Sequence, residues 1–589
     1  MEYNWSLEDT DENEIAQYMQ ELNVTRILAT RLIHKRIDTV RADQILRGDY
    51  AVIEQPLSVS SITEAASILK KYILLPRAAI YVFGDYDADG ITSTVLLCHA
   101  LEQMAETLNP NSASELQYYV PERIEGYGLS ESFAKTVVRH AQINTMIPHL
   151  VITVDNGITA KKAVDVLLTM PNVEVLVTDH HEPDHENNMT PDCVCIDPCL
   201  EENSTGKLLA GCGVIFNVLR ELEDLCSIDH GITDSLLYLP TIGTIGDMMK
   251  MDLYHSCLVQ QGLSQINGNA CPYWLAYTKE LMKLPVVTAK DIAFSIAPFL
   301  NSCSQFGNVK IVLYALMSAD EAIIRKYIDE MYDIYAKNKD ETKRAKNLAE
   351  QEIAETYGVG HRFILYPMKT EYPGLVSKVA THLGKLLGKP LIVWGETENN
   401  KNEPTIAGSA RNDTNFPAMQ FMKDAVKAGL AESAEGHKYA FGVRLYRDKL
   451  PELQKFLDEK TKTYEERYGS QTAVCTKDID CIISTADINT QNMEDLERFP
   501  FIKNLEAPIV MIQGAEIKKV QISKNNDKNL CYTICSPGCK YGIDIWAWNI
   551  KPEQYDKRKH TKIDMIGTLE RNFMKPSYAT LNVIDLRCY

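Results

Sequence analysis

The chain has 589 residues, 45% of them hydrophobic, enough for several domains at roughly 100 to 200 residues each. Its formal charge of −19 excludes indiscriminate binding along a phosphate backbone, which rewards net positive faces, but leaves room for a local basic groove. No run of about 18 apolar residues and no leader-like start is present, and the fifteen cysteines lack paired C-x2-C spacing, so we expect no membrane span, reduced thiols and a cytoplasmic protein.

Residues 1–76 carry helical patterns (Glu12 to Leu22, Thr25 to Lys35, Ile62 to Lys71) and no assigned chemistry. From Arg77 to Met317 strands and helices alternate, which predicts a mostly parallel sheet with helices on its faces. Its first strand, Ala79 to Phe83, runs through Gly84 into Asp85, Asp87, Asp89 and Gly90, and a helix follows from Ile91 to about Met104. Carboxylates at the C-terminal end of a strand sit where open α/β sheets place ligands. Three of them this close repel one another unless a cation intervenes. A calcium-binding EF-hand loop is excluded, because position twelve counted from Asp85 is Leu96 rather than Glu,. A solvated acidic turn is the ordinary alternative, and it weakens as partners accumulate.

His149 to Val154 runs into Asp155-Asn156-Gly157, and Val173 to Val177 runs into Thr178-Asp179-His180-His181-Glu182-Pro183. An apolar segment holding Leu236 to Ile245 ends in Gly246-Asp247. Carboxylates with imidazole and no thiolate favour Mn2+ or Mg2+ over structural zinc. Gly211-Cys212-Gly213 admits two readings, backbone N–H groups offered to an anion or close packing of a helix on the sheet.

Asp320 to Tyr357 reads as one extended helix bridging two lobes. Strand-like runs and helices return from Gly358 to Glu465, with Gly408-Ser409-Ala410-Arg411 and Glu435-Gly436-His437-Lys438 among them. From Asp478 onward short alternating strands, among them Ile509 to Gln513 and Lys518 to Ile522, fit a small barrel. Tyr532, Tyr541, Trp546 and Trp548, half of them expected in its core, with nearby lysines are what a single-strand stacking surface needs. Basic runs such as Lys518, Lys519, Lys524 and Lys528 or Lys557, Arg558 and Lys559 are each a solvated face alone, and together a DNA track.

Four acidic motifs in this order, with accessory segments behind them, resemble the DHH phosphoesterase superfamily, whose triplet appears as Asp179-His180-His181. Over nearly the whole chain they resemble its RecJ branch of single-strand-specific exonucleases. The resemblance implies an α/β fold: a helical lead-in (1–76), a mostly parallel-sheet DHH catalytic domain (77–318), a long bridging helix (319–357), a second α/β DHH-associated substrate-binding domain (358–477) and a C-terminal OB-like β-barrel for nucleic acid (478–589). It implies two ions, Mn2+ or Mg2+, bridged by Asp155; Asp87 serves mainly one, Asp89, His180 and Asp247 the other, and Asp85 supports. Ions about 4 Å apart suit phosphodiester hydrolysis. The catalytic residues are then His181, donating to a phosphate oxygen, Asp155 and Asp179, with Asp179 and Asn156 orienting the ligands. The implied substrate contacts are Arg123, in Val120 to Gly128, with Asn156, Gln305, Ser409, Arg411, Gly436 and His437.

Two departures stand out. Glu435 replaces a glycine of the Gly-Gly-His element, and Asn301-Ser302-Cys303-Ser304-Gln305 stands where relatives carry Asn-Ala-Ala-Gly-Arg. With Gln305 for arginine, looser end recognition and a shallower salt dependence are expected. The implied activity is a 5′-to-3′ exonuclease on single-stranded DNA that releases mononucleotides in repair or recombination. It would work as a monomer, partnered by DNA and by a single-strand-binding protein or helicase. The alternatives are a phosphodiesterase of short oligonucleotides or cyclic dinucleotides, and a replication scaffold with little activity.

Overall fold

The computed structural model describes residues 3–55, 57–184, 188–357, 361–369, 372–398, 404–412, 416–468, 475–502, 504–523, 529–548, 561–572, 575 and 577–589. Lys524, Lys528, Lys557, Arg558 and Lys559 lie outside them. The first element is a strand, β1 (Tyr3–Leu7), in a segment whose pattern showed only helices. The helices Glu12–Leu22, Arg26–His34 and Ile62–Leu74 follow close to the expected places.

Five parallel strands form the catalytic sheet: β2 (Ala79–Phe83), β3 (Glu115–Tyr119), β4 (His149–Val154), β5 (Val173–Thr178) and β6 (Val194–Ile196), in the order β3-β2-β4-β5-β6. Every residue of β2 and β4 is buried, as befits unbroken apolar runs covered by helices on both faces. Their register pairs Phe83 with Thr153 and Val154 with Thr178. The three strands therefore end side by side, and the residues after each end share one rim. The Leu236–Ile245 segment is a helix, Tyr238–Gly246, capped by Asp247.

The bridging helix runs from Glu321 to Glu352, with the Asp320 carboxylate capping its first turn, and ends in one wider π turn, Ile353–Tyr357. Beyond it, β7 (Ile364–Pro367), β8 (Leu391–Glu398), β9 (Pro404–Arg411), β10 (Ala431–His437) and β11 (Ala440–Leu445) form a mixed sheet ordered β10-β11-β9-β8-β7. This second lobe has apolar cores of its own, one around Phe363, Phe421 and Leu457 and another around Tyr366 and Val379.

The C-terminal region contains β12 (Cys475–Ile479), β13 (Cys481–Ile483), β14 (Val510–Ile522), β15 (Leu530–Cys535), β16 (Ile543–Ala547), β17 (Lys562–Arg571) and β18 (Ala579–Cys588). Its sheet is ordered β16-β15-β14-β17-β18, with β13 beside β14. The two strands expected at 509–513 and 518–522 are one, β14, whose register shifts between Ile512 and Ala515 where Gly514 takes φ +62°. A bulge of this kind bends a strand without ending it. Among the described residues no ladder joins β16 to β18, so the expected barrel stands as a curled sheet whose two edges pack together.

Both ends of the chain meet in a clasp. β1 pairs in parallel with β12, Tyr3 opposite Cys475. Trp5 donates to Asp585 at 2.9 Å, and the Arg587 guanidinium lies 4.0 Å over the Trp5 ring. The buried Asp480 carboxylate takes Arg31 at 3.2 Å and His34 at 2.9 Å. One apolar core runs from Ile15 and Leu28 in the N-terminal helices, through the catalytic sheet, to Val510 and Tyr532. Among the described residues no helix is long and apolar enough to cross a membrane.

Candidate metal centre

The rim at the ends of β2, β4 and β5 gathers the acidic motifs. After β2, Asp87 caps the helix Ala88–Leu108, and its Oδ1 accepts from the N–H groups of Asp89 (3.0 Å) and Gly90 (3.1 Å). The helix then carries Asp89 inward until it is fully buried. Gly90 is required here: a Cβ would come within 2.6 Å of Asp85 backbone and side-chain atoms.

Asp89 also resolves the two readings of Gly211-Cys212-Gly213. Its Oδ2 accepts from Gly211 N–H at 2.6 Å and its Oδ1 from Cys212 N–H at 3.0 Å. The anion at this helix N-terminus is thus a side chain of the same protein, and the helix dipole favours its charge. Close packing holds as well, since a Cβ at 211 would fall 2.8 Å from the Asp155 Cα.

After β4, Asp155 turns into the left-handed region, φ +60°, a conformation that aspartate tolerates better than most residues. Asn156 Nδ2 donates to the carbonyls of Val154 (2.9 Å) and Phe83 (3.2 Å), which ties two strand ends together, and its Oδ1 is buried without a donor among the described residues. After β5, Asp179 accepts from Ile158 N–H at 2.9 Å, His180 N–H at 2.8 Å and His181 Nδ1 at 2.7 Å.

Among the described residues three groups of potential ligand atoms converge, each within 4.8 Å: Asp85, Asp87 and Asp155; Asp89, His180 and Asp247; Asp155, His180 and His181. Asp155 belongs to two of them. His180 Nε2 lies 3.1 Å from Asp155, 3.7 Å from Asp89 and 3.9 Å from Asp247. Among the described residues Asp85 Oδ1 and Asp155 Oδ1 are buried without a hydrogen-bond donor, the contact of the latter to His180 being off-axis. Buried anionic oxygens without donors are costly alone and fit a divalent cation.

Titration reflects this crowding. Burial, then the Asp87 charge, raises the Asp85 pKa to about 7; burial raises Asp89 to about 6, with Asp247 and Asp87 adding to it and His180 opposing. Burial and the neighbouring carboxylates hold Asp155 well above the usual range. Burial alone would lower His181, yet its bond to Asp179 and the charges of Asp179, Asp247 and Asp89 raise it to about 9. Burial opposes ionisation of Asp179, but His181 and two backbone N–H groups hold it below the usual range.

The folded protein keeps protons on Asp85 and Asp89 that the unfolded chain releases near pH 4, so metal-free stability falls as pH rises from about 4 to 7. The His181 contribution is complete below about pH 6.5 and is lost as pH rises through about 9, in the same direction. In chelator the melting temperature should therefore fall by several degrees between pH 5 and 9, and Mn2+ should flatten or reverse that slope. A profile that Mn2+ leaves unchanged would place the cation elsewhere.

The surrounding residues divide. Arg123 makes no carboxylate pair among the described residues; its guanidinium lies 4.9 Å over the Tyr86 ring, between Asp85 and Asp87 in sequence. Ser409 and Arg411 stand on β9, where Arg411 donates to Ser409 Oγ at 2.7 Å and to Thr381 Oγ1 at 2.9 Å. Gly436 takes φ +129°, and His437 ends β10 with its side chain outside the described residues. Gln305 has its amide oxygen taken by Asn338 and Lys378. Tyr127 lies in the expected Arg123 segment without having been given a role there. Its hydroxyl sits 3.0 Å from His181 Nδ1, 3.2 Å from Nε2 and 3.3 Å from the Asp155 carbonyl oxygen.

The sequence matches three family profiles: the DHH family N-terminal domain over residues 79–244, the DHHA1 domain over 362–463 and the RecJ OB domain over 479–585. It is 26% identical to the single-stranded-DNA-specific exonuclease RecJ of Bacillus subtilis over 581 residues, covering 96% of this chain and 68% of the relative. With the RecJ exonuclease of Thermus thermophilus it shares 28% over 540 residues, covering 90% of this chain and 72% of the relative. The crystal structure of Thermus thermophilus RecJ in complex with Mn2+ superposes with a TM-score of 0.76 at 21% identity, covering 99% of this chain and 79% of that one.

Proposed function

The chain belongs to the DHH phosphoesterase superfamily and is RecJ-like within it, and from that premise we propose that it is a metal-dependent exonuclease of single-stranded DNA. The observation that carries this reading is Asp155, one buried carboxylate shared by two ligand groups at the meeting of three strand ends. We assign the chemistry to 77–318, substrate contacts to 358–477, and strand guidance to 478–589, joined by the bridging helix.

Asp155 would hold both of two cations, Mn2+ or Mg2+, with Asp87 and Asp85 on one side and Asp89, His180 and Asp247 on the other. When bound, such a pair lowers the pKa of a shared water and offsets charge on the phosphate oxygens. The chain's own residues supply the rest. Asp179 accepts the Nδ1–H of His181 and its charge helps to keep the ring an imidazolium, so Nε2 also carries a proton that it can donate to a phosphate oxygen as charge builds there. Tyr127 braces that ring from the side. The N–H groups of Gly211 and Cys212 fix the carboxylate of Asp89, as outer-sphere donors do for metal ligands. Arg123, Ser409 and Arg411 offer donors to the strand.

End-labelled strands test the reading. Single-stranded DNA should be shortened from its 5′ end to mononucleotides with Mn2+ or Mg2+, chelator should stop the reaction, and duplex should resist it. An RNA arm reads the sugar preference. If single-stranded DNA stays intact while cyclic dinucleotides or very short oligonucleotides are cut, the small-substrate alternative takes its place.

A further inference from the structure

Gln305, Asn338 and Lys378 meet where the catalytic lobe, the bridging helix and the second lobe converge. Gln305 ends the helix Ala297–Gln305, Asn338 is buried within the bridging helix, and Lys378 opens the helix Val376–Leu387. The Lys378 ammonium donates to Gln305 Oε1 at 2.8 Å and Asn338 Oδ1 at 2.7 Å, while Asn338 Nδ2 donates to the same Gln305 oxygen at 2.7 Å. An ammonium carries three donors. Two go to neutral oxygens, and among the described residues no carboxylate lies within ion-pair reach.

The charges around Lys378 are cations. Burial, then Lys346 and Arg123, lowers its pKa to about 8. Lys346 lies two turns further along the bridging helix than Asn338. Arg123 is close enough to Asp85 to lower its pKa, so it links Lys378 to the metal centre. One turn along from Lys378, Thr381 accepts from Arg411. A row of positive charge thus runs from the second lobe to the acidic rim. A half-buried cation among cations is costly unless an anion completes its site. Gln305 is enclosed as well, since a Cβ at Gly374 would lie 3.2 Å from its Cγ.

We propose that Lys378, flanked by Arg123 and Lys346, binds a phosphate of the substrate strand and so joins the two lobes across it, and that Gln305 is a positioning residue that aims Lys378 and does not itself meet the strand. The inference rests on the nucleic-acid reading above. The phosphate belongs either to a strand's 5′ terminus or to an internal diester. It also replaces the expected strand contact of Gln305: an arginine there, Gln305→Arg, would set a second cation against Lys378 instead of adding such a contact.

The test is a titration of the full-length protein in chelator with a single-stranded oligonucleotide, 5′-phosphorylated or 5′-hydroxyl, across a salt series. Lys378→Gln should weaken binding about tenfold and reduce the slope of log affinity against log salt by about 0.7. Lys378→Arg should restore most of both. A loss on both oligonucleotides assigns an internal phosphate, and a loss confined to the phosphorylated one assigns the terminus. Gln305→Leu, which removes the acceptor but no charge, should weaken binding without changing the slope. A folded Lys378→Gln protein with wild-type affinity and slope on both strands overturns the proposal and leaves Lys378 as a brace between lobes. A wild-type protein that binds neither strand overturns the nucleic-acid reading itself, so the two failures are told apart.

Discussion

Asp155→Asn should reduce hydrolysis about a thousandfold or more while the protein folds normally and, in chelator, melts at a higher temperature than the wild type. Asparagine is the informative substitution for a backbone reason: position 155 has φ +60°, which asparagine accepts and alanine resists. It also fits the space, where the Cα of Gly211 packs against the side chain. The amide cannot serve as an anionic ligand to two cations. It removes a carboxylate that is 2% exposed and surrounded by Asp85, Asp87, Asp89 and Asp179, so the metal-free fold loses a repulsion. A gain in stability together with a loss of turnover is the signature of a residue kept for its charge. Substantial Mn2+-dependent activity in the folded variant would sink the shared-ligand assignment.

Replacing Trp546 and Trp548 together with alanine should weaken binding to long single strands by at least about thirtyfold, since each base stacked on an aromatic ring contributes ~1–3 kcal/mol. Turnover of substrates only a few nucleotides long should change little. β16 alternates cleanly: Ile545 and Ala547 are buried, Asp544 and Trp546 are exposed. Trp548 continues the outer face at 54% exposure, its ring stacked on Trp546 at 5.5 Å and 17°. Removing everything after Asp478 would be a poorer experiment, because the apolar core of that region is continuous with the N-terminal helices. Equal losses on long and short substrates would mean that the tryptophans support the fold and do not stack on bases.

The candidate metal centre was legible because its information is local. Three apolar runs each end in acidic residues, and parallel strands bring such ends to one rim whatever the loops between them do. The succession of helices and strands was legible for the same reason. Pairings between distant residues were not. Nothing in Tyr3 to Leu7 names Cys475 as a partner, and nothing in Lys378 names Gln305, since periodicity reports which face is buried and not against what. Among the four aromatics, only Tyr532 is in the core; alternation alone could not divide them, because burial depends on which strand edge is left open. One expectation failed on a subtler ground. Two strands were expected at 509–513 and 518–522, yet Gly514 at positive φ bends one strand that continues on both sides.

The clasp bears on how the molecule is made. Trp5 and its acceptor Asp585 are 580 residues apart, so at ~5–20 residues per second the ribosome needs about half a minute to two minutes to deliver the second after the first. Arg31 and His34 wait almost as long for Asp480. Until then the N-terminal helices hold part of their apolar flank open on a nascent chain, with Arg31 and His34 lacking the carboxylate they meet in the folded protein. The catalytic sheet can form first, because its strands lie within 79–196. Its N-terminal cover becomes final only when the last strands emerge, so a chain released early keeps its ligand residues but leaves apolar surface open to chaperones and to other unfinished copies.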